Sequence, residues 1–319
     1  MDMNTIPVDP AFRKDVLRCF EDGSHAIPAR WLYDRAGSEL FEQITELPEY
    51  YPTRTETALL KKYCSEVGAL GGEGRAVIEF GSGSSTKTPH LLEAIHPAAY
   101  VPIDISGEFL AYSAAQLKPV FPDLPIYPLE ADFMHPLRLP EEVLDQPKIG
   151  FFPGSTIGNM IARTSVDLLR SMRETLGVGS QLLIGFDRIK DKDLLIAAYD
   201  DSAGVTAQFS LNLLHRINGE LEGDIPVDQF RHVATWNDRY ARIEIYLEAQ
   251  ADVAFPIEER AFSLSKGDRL HVENSHKYGI RDARLMLRAG GWTPVQEWSD
   301  ESDYFSLILA EAHPYKHAP

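Results

Sequence analysis

The chain has 319 residues, 44% of them hydrophobic, with 48 Asp+Glu against 31 Lys+Arg and a formal charge of −17. That apolar share is enough for one large core or two modest ones. The acidic balance, with no basic block anywhere, excludes a general nucleic-acid binder, which needs a cationic footprint.

The only cysteines, Cys19 and Cys64, form no C-x-x-C pair. The N-terminus "MDMNTIPVDP" has neither a positive n-region nor an apolar h-region, and no apolar run reaches membrane-spanning length. The expectation is a cytoplasmic protein without disulfides or a membrane partner. The histidines form no H-x-x-x-H helix and no Cys/His cluster, so no metal is expected.

Helical periodicity comes first, over 10–21, 38–46 and 55–70, with the loop "DGSHAIPARWLYDRAG" between the first two. Short apolar runs then alternate with amphipathic stretches: strand 76–80, helix 87–95, strand 99–103, helix 108–117, strands 126–129 and 149–152, helix 164–176, strand 181–186. Strands alternating with helices predict a parallel, doubly wound sheet. After Asp187 the rhythm breaks into helices 191–198 and 203–218, then strand-like runs "FRHVATW", "ARIEIYLEA" and "EERAFSLS". Alternation in the last two suits an antiparallel sheet with one wet face. Helix 280–289, the turn "GGW" and strands "TPVQEWS" and "YFSLILAEA" resume the first pattern.

The fold class expected is therefore α/β: a Rossmann-like sheet interrupted by a large insertion, which joins the N-terminal helices as a second lobe. The predicted division is 1–54 and 191–278 for a substrate lobe, and 55–190 with 279–319 for the sheet domain. Clefts between such lobes are common small-molecule sites.

The stretch "VIEFGSGSSTKTPHLLEAI" carries the main motif. GSGSSTKT falls short of the phosphate-binding GxxxxGK[ST] because Thr86 stands where the second glycine belongs, and a β-branched residue resists the backbone shape required there. A dinucleotide G-x-G-x-x-G fails at the same residue. What survives is an acid closing a strand, then G-x-G, then an acid closing the next strand. In that pattern Glu79 meets a ligand ammonium, Gly81 and Gly83 admit close approach, and Asp104 takes two ribose hydroxyls. The set suits S-adenosylmethionine, which carries an amino acid and a ribose but no phosphate. Further on, "EADFMHP" offers Asp132 to the adenine amino group and Phe133 to stack on the base.

Three segments, "WLYDRAGSELFEQITELPEYYPTRTE", "FFPGSTIGNM" and "AYDDSAGVTAQFSLNLLHRIN", resemble the histidine Nα-methyltransferases that open ergothioneine biosynthesis. The likeness runs over about 28–309 and touches both expected lobes. It implies a class I methyltransferase fold, S-adenosylmethionine as methyl donor, and three methyl transfers to the α-amine of L-histidine, giving hercynine. By that resemblance Asn159, with Gly154 of the same loop, holds the amino-acid head, and Tyr199 binds the carboxylate. Tyr50 lines the pocket near the imidazole, and Tyr33 sits near both donor and amine. Glu273 and Ser275 hold the imidazole, and Lys87 joins Gly81, Asp104, Asp132 and Phe133 at the donor. Tyr33, Tyr50 and Asn159 are thus the catalytic candidates. Ile245 replaces a methionine at the pocket wall of the best-known branch. A monomer acting on free histidine is expected.

Each assignment also has a plainer account. Tyr50 and Tyr199 could pack the lobes, Asn159 could be a left-handed turn residue, and Glu273 with Ser275 could be strand surface. Two other functions stay open: the same fold acting on another amino-acid amine, such as a tryptophan derivative, or a non-catalytic S-adenosylmethionine sensor.

Overall fold

The computed structural model describes residues 8–71, 74–83 and 85–313. In chain order the elements are α1 (Pro10–Glu21), α2 (Arg35–Glu46), α3 (Tyr51–Gly71), β1 (Ala76–Phe80), α4 (Thr88–Ile95), β2 (Ala99–Asp104) and α5 (Gly107–Leu117). Next come β3 (Leu129–Glu130), β4 (Lys148–Phe152), α6 (Ala162–Leu176), β5 (Gln181–Asp187), α7 (Lys192–Ala197) and α8 (Val205–Glu220). The chain continues through β6 (Phe230–Asn237), β7 (Arg242–Ala249), β8 (Val253–Ile257), β9 (Arg260–Leu264) and β10 (Arg269–His276). It closes with α9 (Ile280–Ala289), β11 (Trp292–Ser299) and β12 (Phe305–Ala312). Two compact units result: Tyr51–Lys190 with His276–Pro319, and Met1–Tyr50 with Asp191–Ser275.

The first unit is built on a seven-stranded sheet of order β3-β2-β1-β4-β5-β12-β11. Strands β3 to β5 are mutually parallel, and β12 enters antiparallel to both β5 and β11. This is the Rossmann-like sheet expected, with a closing hairpin that reverses direction. The pleat sends successive side chains to opposite faces, so β1 feeds two cores. Ile78 and Phe80 pack with Leu168, Leu169, Met172 and Leu176 of α6 and Leu287 of α9. Val77 packs with Leu59, Leu60 and Val67 of α3 and Leu91, Leu92 and Ile95 of α4. Each such buried leucine contributes roughly 1.5–3 kcal/mol of transfer free energy. A sheet covered on both faces needs continuous apolar strands, which is how β1, β4 and β5 read.

One predicted strand shrinks. The run 126–129 makes only an isolated bridge, Tyr100 with Ile126, before the two-residue β3. Pro125 and Pro128 explain this, since neither can donate to a ladder.

The other unit contains α1, α2, α7, α8 and β6 to β10. Strands β6 and β7 pair antiparallel, and β10 flanks β7 on its other side. The run "EERAFSLS" does not join this sheet as expected. Its β9 instead pairs with β8 in a separate hairpin, in register from Val253↔Leu264 to Ile257↔Arg260. Phe20 of α1 explains the placement: its ring packs 5.5 Å from Phe255 and 5.3 Å from Phe262, one from each hairpin strand. Among the described residues no helix is long and apolar enough to cross a membrane.

Candidate active site

The glycine turn after β1 is shaped by the backbone. Gly81 (φ 70°) and Gly83 (φ 49°) both occupy the left-handed region that side chains avoid. Asp104, the last residue of β2, holds the turn: Oδ2 accepts the Gly83 N–H at 3.0 Å and Oδ1 the Ser106 N–H at 3.1 Å. Each oxygen keeps a further lone pair, enough for a vicinal diol. An ideal Cβ on Gly81 would lie 3.4 Å from Cε1 of Phe133, so the missing side chain leaves a cradle rimmed by that ring. Phe133 is itself fixed edge-on to Phe80 and Phe152, with centroids 6.3 and 5.9 Å away. Asp132 turns Oδ1 to the Met134 N–H at 3.0 Å. Gly81, Gly83, Asp104 and Phe133 are thus brought together, and the cradle fits a nucleoside ligand without phosphates.

Glu79 closes β1 just before the turn. Its carboxylate is buried, and Oε2 accepts from Thr88 Oγ1 at 2.7 Å and Tyr100 Oη at 2.5 Å. Burial pushes its pKa up to about 8, against the opposing pull of those two hydroxyls and of Lys87. These contacts brace the floor of the turn against α4 and β2.

Lys87, the residue before α4, pairs with Glu56 of α3 at 2.5 Å. The Glu56 carboxylate also accepts the Gly154 N–H, at 2.8 and 3.0 Å. Gly154 (φ 81°) and Ser155 (φ 54°) are two consecutive left-handed residues, and the 3₁₀ turn Thr156–Asn159 follows. Ser155 Oγ accepts the Asp187 N–H at 2.9 Å, and His276 Nδ1 lies 2.8 Å from the Gly158 carbonyl, to which it can only donate. Asn159 is half-buried and does not carry the positive φ that the turn-residue account requires.

In the other unit the candidates form a linked aromatic set. Tyr33 packs edge-on to Phe41 and Phe209, with centroids 5.5 and 5.4 Å away. Phe41 meets Tyr50 at 6.3 Å, and Tyr50 meets Tyr199 at 5.9 Å. Tyr199 Oη shares a 2.7 Å hydrogen bond with Ser275 Oγ of β10. His232 Nε2 donates to the Tyr199 carbonyl at 2.7 Å, and burial lowers the pKa of that imidazole. Glu273 and Ser275, two apart on β10, are both buried, which removes the plain strand-surface account. Ile245 is buried on the neighbouring β7.

Sequence reasoning missed two features. Glu56 gave no signal, because its partners lie 31 and 98 residues away. The second is a buried cluster on Asp187, the last residue of β5. Asp187 accepts from Lys277 at 2.6 Å, from Tyr51 Oη at 2.8 Å, and from Lys190. Burial lowers the Lys190 pKa to about 8, opposed by its pairing with Asp187. The neighbours Tyr50 and Tyr51 thus serve different units. Among the described residues no group of three or more His, Cys, Asp or Glu side chains converges as metal ligands.

A parallel sheet closed by a reversed hairpin, with an acid-anchored glycine turn after its first strand, defines a class I S-adenosylmethionine-dependent methyltransferase. The profile of the family described as "Histidine-specific methyltransferase, SAM-dependent" matches residues 12–312, and the chain belongs to that family. The histidine N-alpha-methyltransferase of Mycolicibacterium smegmatis is 36% identical over 311 residues, covering 94% of each chain. The enzyme of that name from Mycobacterium tuberculosis is 36% identical over 306 residues, again covering 94% of both. Ergothioneine biosynthesis protein 1 of Neurospora crassa is 29% identical over 329 residues, which span 98% of this chain and 36% of that protein.

Proposed function

We propose that this enzyme methylates the α-amine of L-histidine three times to give hercynine, the first step of ergothioneine biosynthesis. The observation that carries the reading is the family match across residues 12–312, which spans both units. The names of the mycobacterial relatives point to the same substrate and the same nitrogen.

The bound donor supplies a methyl group activated on a sulfonium sulfur. The protein has to orient the amine and keep it uncharged at each attack. A carboxylate beside the amine would stabilise the ammonium and raise its pKa. Asn159, Tyr33 and Tyr50 are neutral, which suits an amine that must shed one proton per transfer. The rings of Tyr33 and Tyr50, with Phe41 and Phe209 behind Tyr33, offer faces to a cation that gains bulk but loses its N–H groups.

Gly154 and Asn159 hold the amino-acid head. Tyr199 and Ser275, joined by their 2.7 Å hydrogen bond, take the substrate carboxylate and imidazole respectively. Glu273 accepts an imidazole N–H, and Ile245 forms wall. Asp104 takes the ribose hydroxyls, Asp132 the adenine amino group, Phe133 the base, and Lys87 completes the donor set. The enzyme acts on free histidine as a cytoplasmic monomer.

Calorimetric titration of L-histidine into enzyme saturated with S-adenosylhomocysteine tests this reading. Saturable histidine binding is expected. Nucleotide binding without histidine binding would favour a sensor.

A further inference from the structure

The Glu56 carboxylate has no role in the assignments above, yet it is among the most enclosed charges in the protein. It sits in the second turn of α3 with relative exposure 0%, and its ion-pair partner Lys87 keeps 15% of its side chain exposed. One anion therefore holds two groups from different parts of the chain: the Lys87 ammonium beside the glycine turn, and the amide that opens the 154–159 loop. The sheet is cut to fit it. An ideal Cβ at Gly185 of β5 would lie 2.3 Å from Glu56 Oε1 and 2.8 Å from the Phe305 ring.

Enclosing an ion pair gives little net stability, because desolvation of both charges offsets their attraction. What the pair provides is placement. The 154–159 loop begins with two left-handed residues, a conformation that persists only where neighbours over-determine it. Its anchors include Glu56 at the Gly154 N–H, the Asp187 N–H at Ser155 Oγ, His276 at the Gly158 carbonyl, and the Tyr278 and Ser165 hydroxyls at the Ile157 carbonyl. Of these, Glu56 is the one that also grips a residue of the proposed donor set.

We infer that Glu56 is a positioning residue that locks the 154–159 loop to Lys87 and so sets Asn159 in register with the methyl-donor turn. The inference rests on the proposed roles of Lys87 and Asn159. Glu56 touches neither donor nor substrate. It acts through the two groups it holds.

Glu56→Gln keeps the side chain's length and one oxygen for Gly154 while removing the charge that binds Lys87. The expected result is a folded enzyme with S-adenosylhomocysteine affinity and kcat each reduced roughly tenfold, and KM for histidine changed by less than about threefold. Hydrogen–deuterium exchange of the peptide covering 153–160 should rise in the same variant. A folded variant with nucleotide affinity and kcat within about twofold of wild type would overturn the inference, whatever its Tm. Should Glu56→Gln not fold, Glu56→Gln with Lys87→Met removes both charges and is compared with Lys87→Met alone. Groups that act as a unit give a double variant less than about twofold weaker for nucleotide than the single one; a further tenfold loss contradicts the coupling. The nucleotide titration and the exchange measurement need no histidine. They stand even if the methylated amine proves to be another one, in which case only the kcat arm changes substrate.

Discussion

Tyr199 and Ser275 lie 76 residues apart in the chain, and their hydroxyls meet at 2.7 Å in a buried contact. Removing one hydroxyl leaves the other buried without that partner, at a cost of about 1–3 kcal/mol. Tyr199→Phe and Ser275→Ala should each lower Tm, and the double variant should lose less than the sum. Chemical denaturation of the three variants measures the coupling. Strict additivity would mean that the contact contributes nothing.

Asp104→Ala removes the acceptor for both the Gly83 and Ser106 amides as well as the proposed ribose contact. A lost hydrogen bond to a charged group is worth roughly 1.5–3 kcal/mol, so S-adenosylhomocysteine affinity should fall about ten- to a hundredfold. Calorimetry measures it directly. Unchanged affinity would take Asp104 out of the site.

Glu79 makes stability depend on pH in an unusual direction. Its pKa rises from 4.5 in the unfolded chain to about 8 when folded, with burial as the main cause. Between those values the native protein holds a proton that the unfolded chain has released, so stability falls as pH rises through the window. The contribution is intact below the unfolded pKa and lost by about pH 8, an effect on the order of a few kcal/mol. Glu79→Gln is neutral at every pH. Its Tm relative to wild type should therefore climb from about pH 5 to about pH 8. A constant difference would place the folded pKa at an ordinary carboxylate value.

The sequence was most readable where local chemistry decides an element. The predicted limits 10–21, 76–80 and 280–289 coincide with α1, β1 and α9. Asp9 caps α1 by accepting the Ala11 N–H, Pro10 suits the first turn, and the glycines after Ala289 end α9. Two helices begin earlier than apolar periodicity alone predicts, because caps and proline set their starts. Asp34 accepts the Gly37 N–H and starts α2 at Arg35, while Pro52 is tolerated in the first turn of α3. Strand β8 has no clear signal, because Pro256 breaks its pattern, and β10 is marked only by the alternation of Glu273 and Ser275. In the site, the glycine turn and Asp104 were legible because they lie in one βαβ unit. Glu56 and Lys87 lie 31 residues apart, and Asp187 meets Lys277 and Tyr51 across 90 and 136 residues; no local pattern marks such partners. The burial of Glu79 is likewise hidden in the sequence, because its partner Tyr100 comes from the next strand.

The proposed reading assigns the imidazole contact to the buried Glu273. A site built to bond a ring N–H rejects a ring that lacks one strongly. Glu273→Ala should cut kcat/KM for histidine by about a hundredfold while narrowing the margin over phenylalanine and tryptophan. Parallel assays with the three amino acids check it. Unchanged KM for histidine would place Glu273 outside the pocket.

Trimethylation of the histidine α-nitrogen is read out by tandem mass spectrometry of L-histidine incubated with enzyme and S-adenosylmethionine. Successive gain of one, two and three methyl groups is expected, all on the α-nitrogen, ending in hercynine. No methyl gain, or methylation of the imidazole ring, would contradict the proposed function.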